Sequence, residues 1–340
     1  MEDGAKWGKA VDNCVGSANG SPLSKTKAKA IHRKAGYATY RGPKVEGPRH
    51  VVNFGDQDYP NALRCTSNPP QRLYVIGNPA ALEEGLAVIG ARKATPYGLG
   101  CAMRFGKAAA ENGICIISGG ARGCDAQAHR SALGVGGRTV AVLGGGCDHV
   151  YPREHHRLFQ DIVDAGGAVV SEHEWDFPPV PYAFRERNRI IAGLAKATLI
   201  VEAGLPSGTF STADEALAAS REVLVVPGSI MSPYSAGSNQ LLRQGATPIV
   251  DDESFQDALF DIFGCLRQER SASQESSKQI DDPLLAAVLA SPCHREDLIR
   301  LVGDTGDLSA ASILSQRLAE YEVMGFICRY PDGRYGPVVK

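Results

Sequence analysis

Short, unbroken apolar runs, each leading into a helix-forming stretch, constrain this chain more than any other feature. Leu73-Tyr74-Val75-Ile76-Gly77 and Leu86-Ala87-Val88-Ile89-Gly90 are the first two runs. Ile114 to Ser118, Thr139 to Leu143, Ala168 to Glu172, Thr198 to Glu202 and Glu222 to Val226 follow. The runs do not alternate apolar with polar, so they read as strands buried on both faces of a parallel sheet. Helical segments lie between them. Thr95 can cap a helix with Pro96 at its first position, running to about Asn112 and closed by Gly113. Further helices are expected over Asp125–Leu133, Glu154–Ala165 and Asn188–Ala195, and from Thr209 to about Ser220. Strand–helix alternation over 51–266 predicts an α/β domain, a Rossmann-like doubly wound and mostly parallel sheet.

In such a sheet ligands bind beyond the carboxyl ends of the strands. Four stretches fall there: Gly90-Ala91-Arg92, Ser118-Gly119-Gly120-Ala121-Arg122-Gly123-Cys124-Asp125, Arg185-Glu186-Arg187-Asn188-Arg189, and Ser207-Gly208-Thr209. The second has the strand–glycine–helix form of an anion site. Glycines admit a ligand to the backbone, and the helix start offers unpaired N–H groups and a partial positive charge. Arginine adds a planar fork that grips phosphate with two hydrogen bonds. Several anion sites along one edge suit a polyanion better than a single nucleotide. Arg187 and Arg189 could instead pair with Glu172, Glu186 or Glu202 inside the domain.

Asp125 and His129 stand one helical turn apart, as a general acid/base pair would. A capping aspartate and a packed histidine supporting the loop is the preferred reading, and Glu202 is read as a similar support. No nucleophile–base pair is evident. Gly144-Gly145-Gly146 lacks the spacing of a dinucleotide fingerprint. Cys147-Asp148-His149 with His155 and His156 matches no zinc module, so no metal is expected.

Charge is unevenly spread. Residues 1–50 hold 10 Lys/Arg against 4 Asp/Glu, residues 51–279 hold 20 against 25, and residues 280–340 hold 6 against 9. A central domain that binds a polyanion must therefore use a local patch. The 1–50 segment reads as a disordered basic tail, with a nucleic-acid arm as the other reading. No apolar run approaches the roughly 20 residues that span a bilayer, no signal pattern opens the chain, and cytoplasmic location with free thiols is expected. Residues 267–280 read as a linker. Beyond it, helices near 283–289, 295–301 and 309–321 and a hairpin at 326–338 suggest a small winged helix over 281–340.

The ordered set of motifs resembles the DNA-processing protein DprA family, also called Smf. The resemblance rests on Gly90-Ala91-Arg92 with Tyr97-Gly98, Ser118 to Asp125 with His129, and Leu143-Gly144 with Tyr151-Pro152. It continues through Ser171-Glu172, Arg187-Asn188-Arg189, Val201-Glu202, Ser207-Gly208-Thr209, Pro227-Gly228-Ser229, Gly237-Ser238-Asn239 and Gln244-Gly245-Ala246. It implies a homodimeric protein that binds single-stranded DNA without sequence preference and loads the recombinase RecA in natural transformation, with no cofactor and no enzymatic activity. It also implies a DNA contact at Arg92 and a winged-helix C-terminal module.

Three departures stand out. Phe184 is followed directly by Arg185 where the family has Phe-Pro, and Pro206 replaces the Lys or Arg that usually precedes Ser-Gly-Ser/Thr. Only the basic segment 1–50 stands where many members have a small helical domain. Arg185 is the candidate substitute for the missing charge. The other functional class is a nucleotide-binding enzyme that hydrolyses the N-glycosidic bond of nucleoside monophosphates. Pro206 to Thr209 with Asp214-Glu215 echoes that pattern without its paired glycines.

Overall fold

The computed structural model of the chain describes residues 40–265, 282–302, 308–324, 326–330 and 332–338. Residues 1–39 of the expected tail 1–50 and the linker at 267–280 lie outside the described residues, while residues 40–50 of that tail are described.

The strands form one sheet in the order β1-β2-β6-β5-β4-β3-β7-β8-β9. They are β1 (Arg49–Asn53), β2 (Arg72–Gly77), β3 (Gly85–Ile89), β4 (Ile116–Ser118), β5 (Thr139–Val142), β6 (Ala168–Ser171), β7 (Ala195–Ile200), β8 (Glu222–Val225) and β9 (Thr247–Pro248). From β6 across to β9 every pairing is parallel. Only β2 runs against its neighbours, β1 and β6. The chain winds outward from β3 through β4 and β5 to β6, then returns to place β7 on the other side of β3. The strand order thus reverses beside β3.

Alternate residues of β3 build opposite faces. Leu86 and Val88 pack with Phe105 and Ala109 of helix α2 (Pro96–Glu111). Ala87 and Ile89 pack with Ile190 and Ile191 of helix α5 (Pro181–Leu194). Full burial of each Leu, Val, Ile or Phe among them stabilises the fold by about 1.5–3 kcal/mol. Helix α2 has the expected ends: Thr95 accepts from Gly98 N at 3.2 Å, Pro96 opens the helix, and Gly113 follows with φ +76°.

Two elements differ from expectation. Strand β1 was not expected, because on this sheet edge it buries only Val52. Residues just before it are also fixed: Val45 is buried and Lys44 pairs with Asp148 at 3.0 Å. Helix α5 begins at Pro181, not Asn188. Proline is favoured at a first helical position, so Arg185 to Arg189 ride on a helix rather than in a loop.

Remaining helices of the domain are α1 (Asn61–Arg64), α3 (Cys124–Gly134), α4 (His156–Asp164), α6 (Thr209–Ala218), α7 (Ala236–Arg243) and α8 (Asp252–Phe263). The C-terminal residues form helices Pro283–Ala290, Arg295–Val302 and Leu308–Val323 and an antiparallel pair, Ile327–Arg329 with Tyr335–Pro337. Leu285, Val288, Leu298, Leu314, Leu318 and Ile327 make a core of their own. Among the described residues no helix is long and apolar enough to cross a membrane.

Candidate functional site

The loops that leave the carboxyl ends of β3, β4, β5 and β7 meet the first turns of α5 at one edge of the sheet. Beneath this edge lies a layer of buried polar side chains. Asp125, at the start of α3, accepts from Gly119 N at 3.2 Å and Ala121 N at 3.3 Å. Arg187 reaches the same loop from α5, donating to Gly119 O at 2.9 Å and to Val142 O. Both side chains are buried. Burial pushes the Asp125 carboxyl up, while Arg187 and the two N–H donors pull against it. Burial also lowers Arg187 to about 10, with Asp125 opposing. The glycine-rich loop is therefore wrapped around two buried groups of opposite charge, and two of its donors face Asp125 rather than a ligand.

Ser118 lies below this pair. Its hydroxyl donates to Val88 O at 2.7 Å and ties β4 to β3. His129 is fully buried, and its Nδ1 lies 2.7 Å from the Thr139 hydroxyl, which itself donates to Ile116 O. That network assigns the ring proton to Nδ1. His129 Nε2 has no partner among the described residues, and burial lowers the ring to about 3, so it stays neutral. Glu202, at the end of β7, accepts from Thr95 N at 2.8 Å and Thr95 Oγ1 at 2.5 Å. It thereby anchors the residue that caps α2. Burial pushes this carboxyl up and the Thr95 bonds oppose it.

Above this layer the surface is cationic. The Gly90-Ala91-Arg92 loop packs on the start of α3, where Cys124 N donates to Ala91 O at 3.3 Å. Gly123 makes that approach possible: its φ is +78°, and a Cβ would stand 2.2 Å from Ala91 O. Arg92 is exposed and forms no ion pair among the described residues; its guanidinium stands 5.7 Å from the centre of the Phe184 ring. Arg122 is exposed and pairs with Glu154, also exposed. Arg185 is exposed with no ion pair among the described residues. The N–H groups of Gly120, Arg122 and Gly123 likewise have no acceptor among them.

The other candidates are held by the protein. Arg189 pairs with Glu172 at 2.5 Å, both largely buried. Asn188 donates to Ser211 Oγ at 3.0 Å. Ser207 Oγ accepts from Thr209 N at 3.1 Å and bonds Thr209 Oγ1 at 2.8 Å, which leaves Gly208 exposed at the start of α6. The triple glycine packs against the loop after β6, with Gly146 N donating to Phe177 O at 2.8 Å.

The histidines and acids once considered for a metal point to separate partners. Asp148 pairs with Lys44 and Arg49, Cys147 donates to Tyr74 O at 3.3 Å, His155 Nδ1 is 2.9 Å from Gly120 O, and His156 Nε2 is 3.0 Å from Lys44 O. Among the described residues no three metal-binding side chains converge.

One residue of this surface is named in the family motif but has no role in the sequence reading. Tyr151, in the loop after β5, is 45% exposed, and its ring lies 5.5 Å from that of Phe184. A solitary aromatic in a loop carries no periodic signal. The family motif Tyr151-Pro152 marks the position without giving the ring a role.

Comparisons with known proteins agree with this geometry. Residues 50–260 match the family described as DNA recombination-mediator protein A. Protein Smf of Escherichia coli is 37% identical over 292 residues, 85% of this chain and 78% of that protein. The DNA processing protein DprA of Bacillus subtilis is 34% identical over 212 residues, 62% of this chain and 71% of its own length. The crystal structure of DprA from Streptococcus pneumoniae superposes with a TM-score of 0.57 at 34% identity, covering 61% of this chain and 72% of that one. DprA from Helicobacter pylori, studied for its single-stranded DNA binding mode, gives 0.59 at 30% identity over 65% of this chain and all of the other, 100%. The mostly parallel sheet, the loops at its carboxyl edge and the matched span together place the chain in the DNA recombination-mediator protein A family.

Proposed function

We propose that this chain binds single-stranded DNA along the carboxyl edge of its sheet without reading sequence, and that it acts in DNA processing during natural transformation. The observation that carries this reading is the division of charge at the edge. Buried Arg187 and Asp125 neutralise one another, while Arg92, Arg122 and Arg185 are exposed around loop N–H groups that have no acceptor among the described residues. That surface suits a row of phosphates. The Helicobacter pylori relative, studied for its single-stranded DNA binding mode, supports the same ligand. As a DNA-processing protein the chain is expected to act as a homodimer and to hand the bound strand to RecA. The C-terminal residues, read as a winged helix with an excess of acidic side chains, serve protein contacts rather than duplex binding.

The protein is proposed to bind DNA and not to cleave it. The nucleoside monophosphate reading would take its carboxylate from Asp214 or Glu215 of α6, beside a Pro206-to-Thr209 loop that lacks the paired glycines of such enzymes. A salt-series titration with single- and double-stranded oligonucleotides tests the proposal. Each phosphate neutralised on a single strand contributes about 0.7 to the slope of log K against log salt. A steep slope with preference for the single strand is expected, and a flat plot would sink the proposal. Release of base from a nucleoside monophosphate would favour the enzyme instead.

A further inference from the structure

A single strand held by its phosphates must put its bases somewhere. At this edge the aromatic side chains are few, and they are not equivalent. Tyr97 is fastened, its hydroxyl donating to Pro227 O at 2.6 Å. Tyr151 is 45% exposed, and its hydroxyl has no hydrogen bond among the described residues. Its ring meets Phe184 at 5.5 Å between centroids with an interplanar angle of 53°. Phe184 is itself immobilised: a Cβ at Gly144 would lie 2.7 Å from Phe184 Cδ1, so the ring rests directly on backbone.

Cations flank the two rings. Arg92 stands 5.7 Å from the Phe184 centre, and buried Arg187 lies behind the same ring at 6.0 Å. Arg122 is within electrostatic reach of the Tyr151 phenol. An exposed ring against a rigid aromatic base, with exposed Arg92 beside that base and exposed Arg122 nearby, matches the way proteins without sequence preference hold single strands. Phosphates meet cations while bases stack on aromatic faces, and every base has such a face.

We infer that Tyr151, seated on Phe184 and flanked by Arg92 and Arg122, is a stacking platform for a nucleobase of the bound strand and takes all bases alike. The inference rests on the single-strand reading above. It adds a contact that depends on the base and not on charge.

The test compares an oligothymidylate with an abasic deoxyribose-phosphate oligomer of the same length, titrated by fluorescence anisotropy. Tyr151→Ala should weaken oligothymidylate binding by roughly 5- to 150-fold, the range that one base–aromatic stack supplies, with the salt slope unchanged. Binding of the abasic oligomer should be the same for wild type and Tyr151→Ala. Tyr151→Phe keeps the ring, loses the hydroxyl, and should retain wild-type affinity. If Tyr151→Phe is as weak as Tyr151→Ala, the hydroxyl and not the ring makes the contact, and the platform is refuted. Equal losses on both oligomers would refute it too, as would a wild type that binds both tightly and ignores Tyr151→Ala. A wild type that binds neither oligomer overturns the single-strand reading, and the platform with it.

Discussion

Arg185 and Arg187 lie two residues apart on α5, and the helix sends them in opposite directions. At 3.6 residues per turn, neighbours at i and i+2 face nearly opposite sides. Arg187 is 5% exposed and donates to two loop carbonyls, whereas Arg185 is exposed and unpaired among the described residues. The same contrast divides the whole edge. Ser118, Asp125, His129, Arg187 and Glu202 form an inner layer that shapes the loops, and Arg92, Arg122, Arg185 and Tyr151 form an outer layer open to a ligand. Changes to the first group should act through stability, and changes to the second through binding.

The largest effect should come from Arg187→Met. It leaves Asp125 buried without its counter-charge and deprives the Gly119 and Val142 carbonyls of their donor. Leaving a buried charge uncompensated in this way costs about 3–5 kcal/mol. Arg185→Ala should change stability by no more than about 0.5 kcal/mol, as exposed substitutions usually do. Urea unfolding of the two variants side by side measures the difference, and equal stabilities would abolish the division into layers.

Gly123→Ala comes next. The new Cβ would collide with Ala91 O, and the residue would hold a backbone conformation that costs about 1–3 kcal/mol outside glycine. The Gly90-Ala91-Arg92 loop leans on this position, so the variant should lose DNA affinity together with stability. At Gly208 nothing lies within 4 Å of an added Cβ, and φ is −67°. Gly208→Ala should therefore keep or slightly raise stability. Melting temperatures of the pair decide whether glycines of the motif set share one role.

Arg92→Ala probes the outer layer alone. Stability should stay within about 0.5 kcal/mol of wild type. Affinity for single-stranded DNA should fall, and the salt slope should drop by about 0.7, the share of one phosphate. An unchanged slope would remove Arg92 from the phosphate track.

The sheet was readable because its strands are buried on both faces. Leu86 to Ile89 and Val140 to Val142 form runs that no other element explains, and Thr95-Pro96 and Gly113 mark the limits of α2 by their own backbone preferences. Strand β1 was not readable, since an edge strand with one buried valine has no such signature. The start of α5 was hidden among Pro178, Pro179 and Pro181, which suggest a loop until the last of them proves to open the helix. At the site, residue types revealed a cluster of anion-binding character but not the direction of each side chain. Ser118 and Arg187 have the chemistry of phosphate ligands, and packing turns both inward. Tyr151 gains its place only from the fold, which brings the loop after β5 against Phe184 of α5.

The smallest predicted effect isolates one inner residue by pH. His129 titrates at about 3 in the folded protein, held down by burial, against about 6.5 in an unfolded chain. Above 6.5 both states are neutral at this site, so it does not affect stability there. As pH falls below 6.5 the unfolded chain takes up a proton that the folded protein refuses, and stability is lost progressively until about pH 3. Between pH 7 and 6 that loss is about 0.7 kcal/mol. Asp125 acts with the opposite sign, because burial raises its carboxyl and stability falls as pH rises through its window. Comparing wild type with His129→Gln cancels the aspartate, which both proteins retain. The variant should be less stable at pH 7, because it disturbs the Thr139 contact, yet lose less than wild type on going to pH 6. Parallel stability curves for the two proteins would show that His129 accepts a proton in the folded state and would remove it from the buried neutral layer.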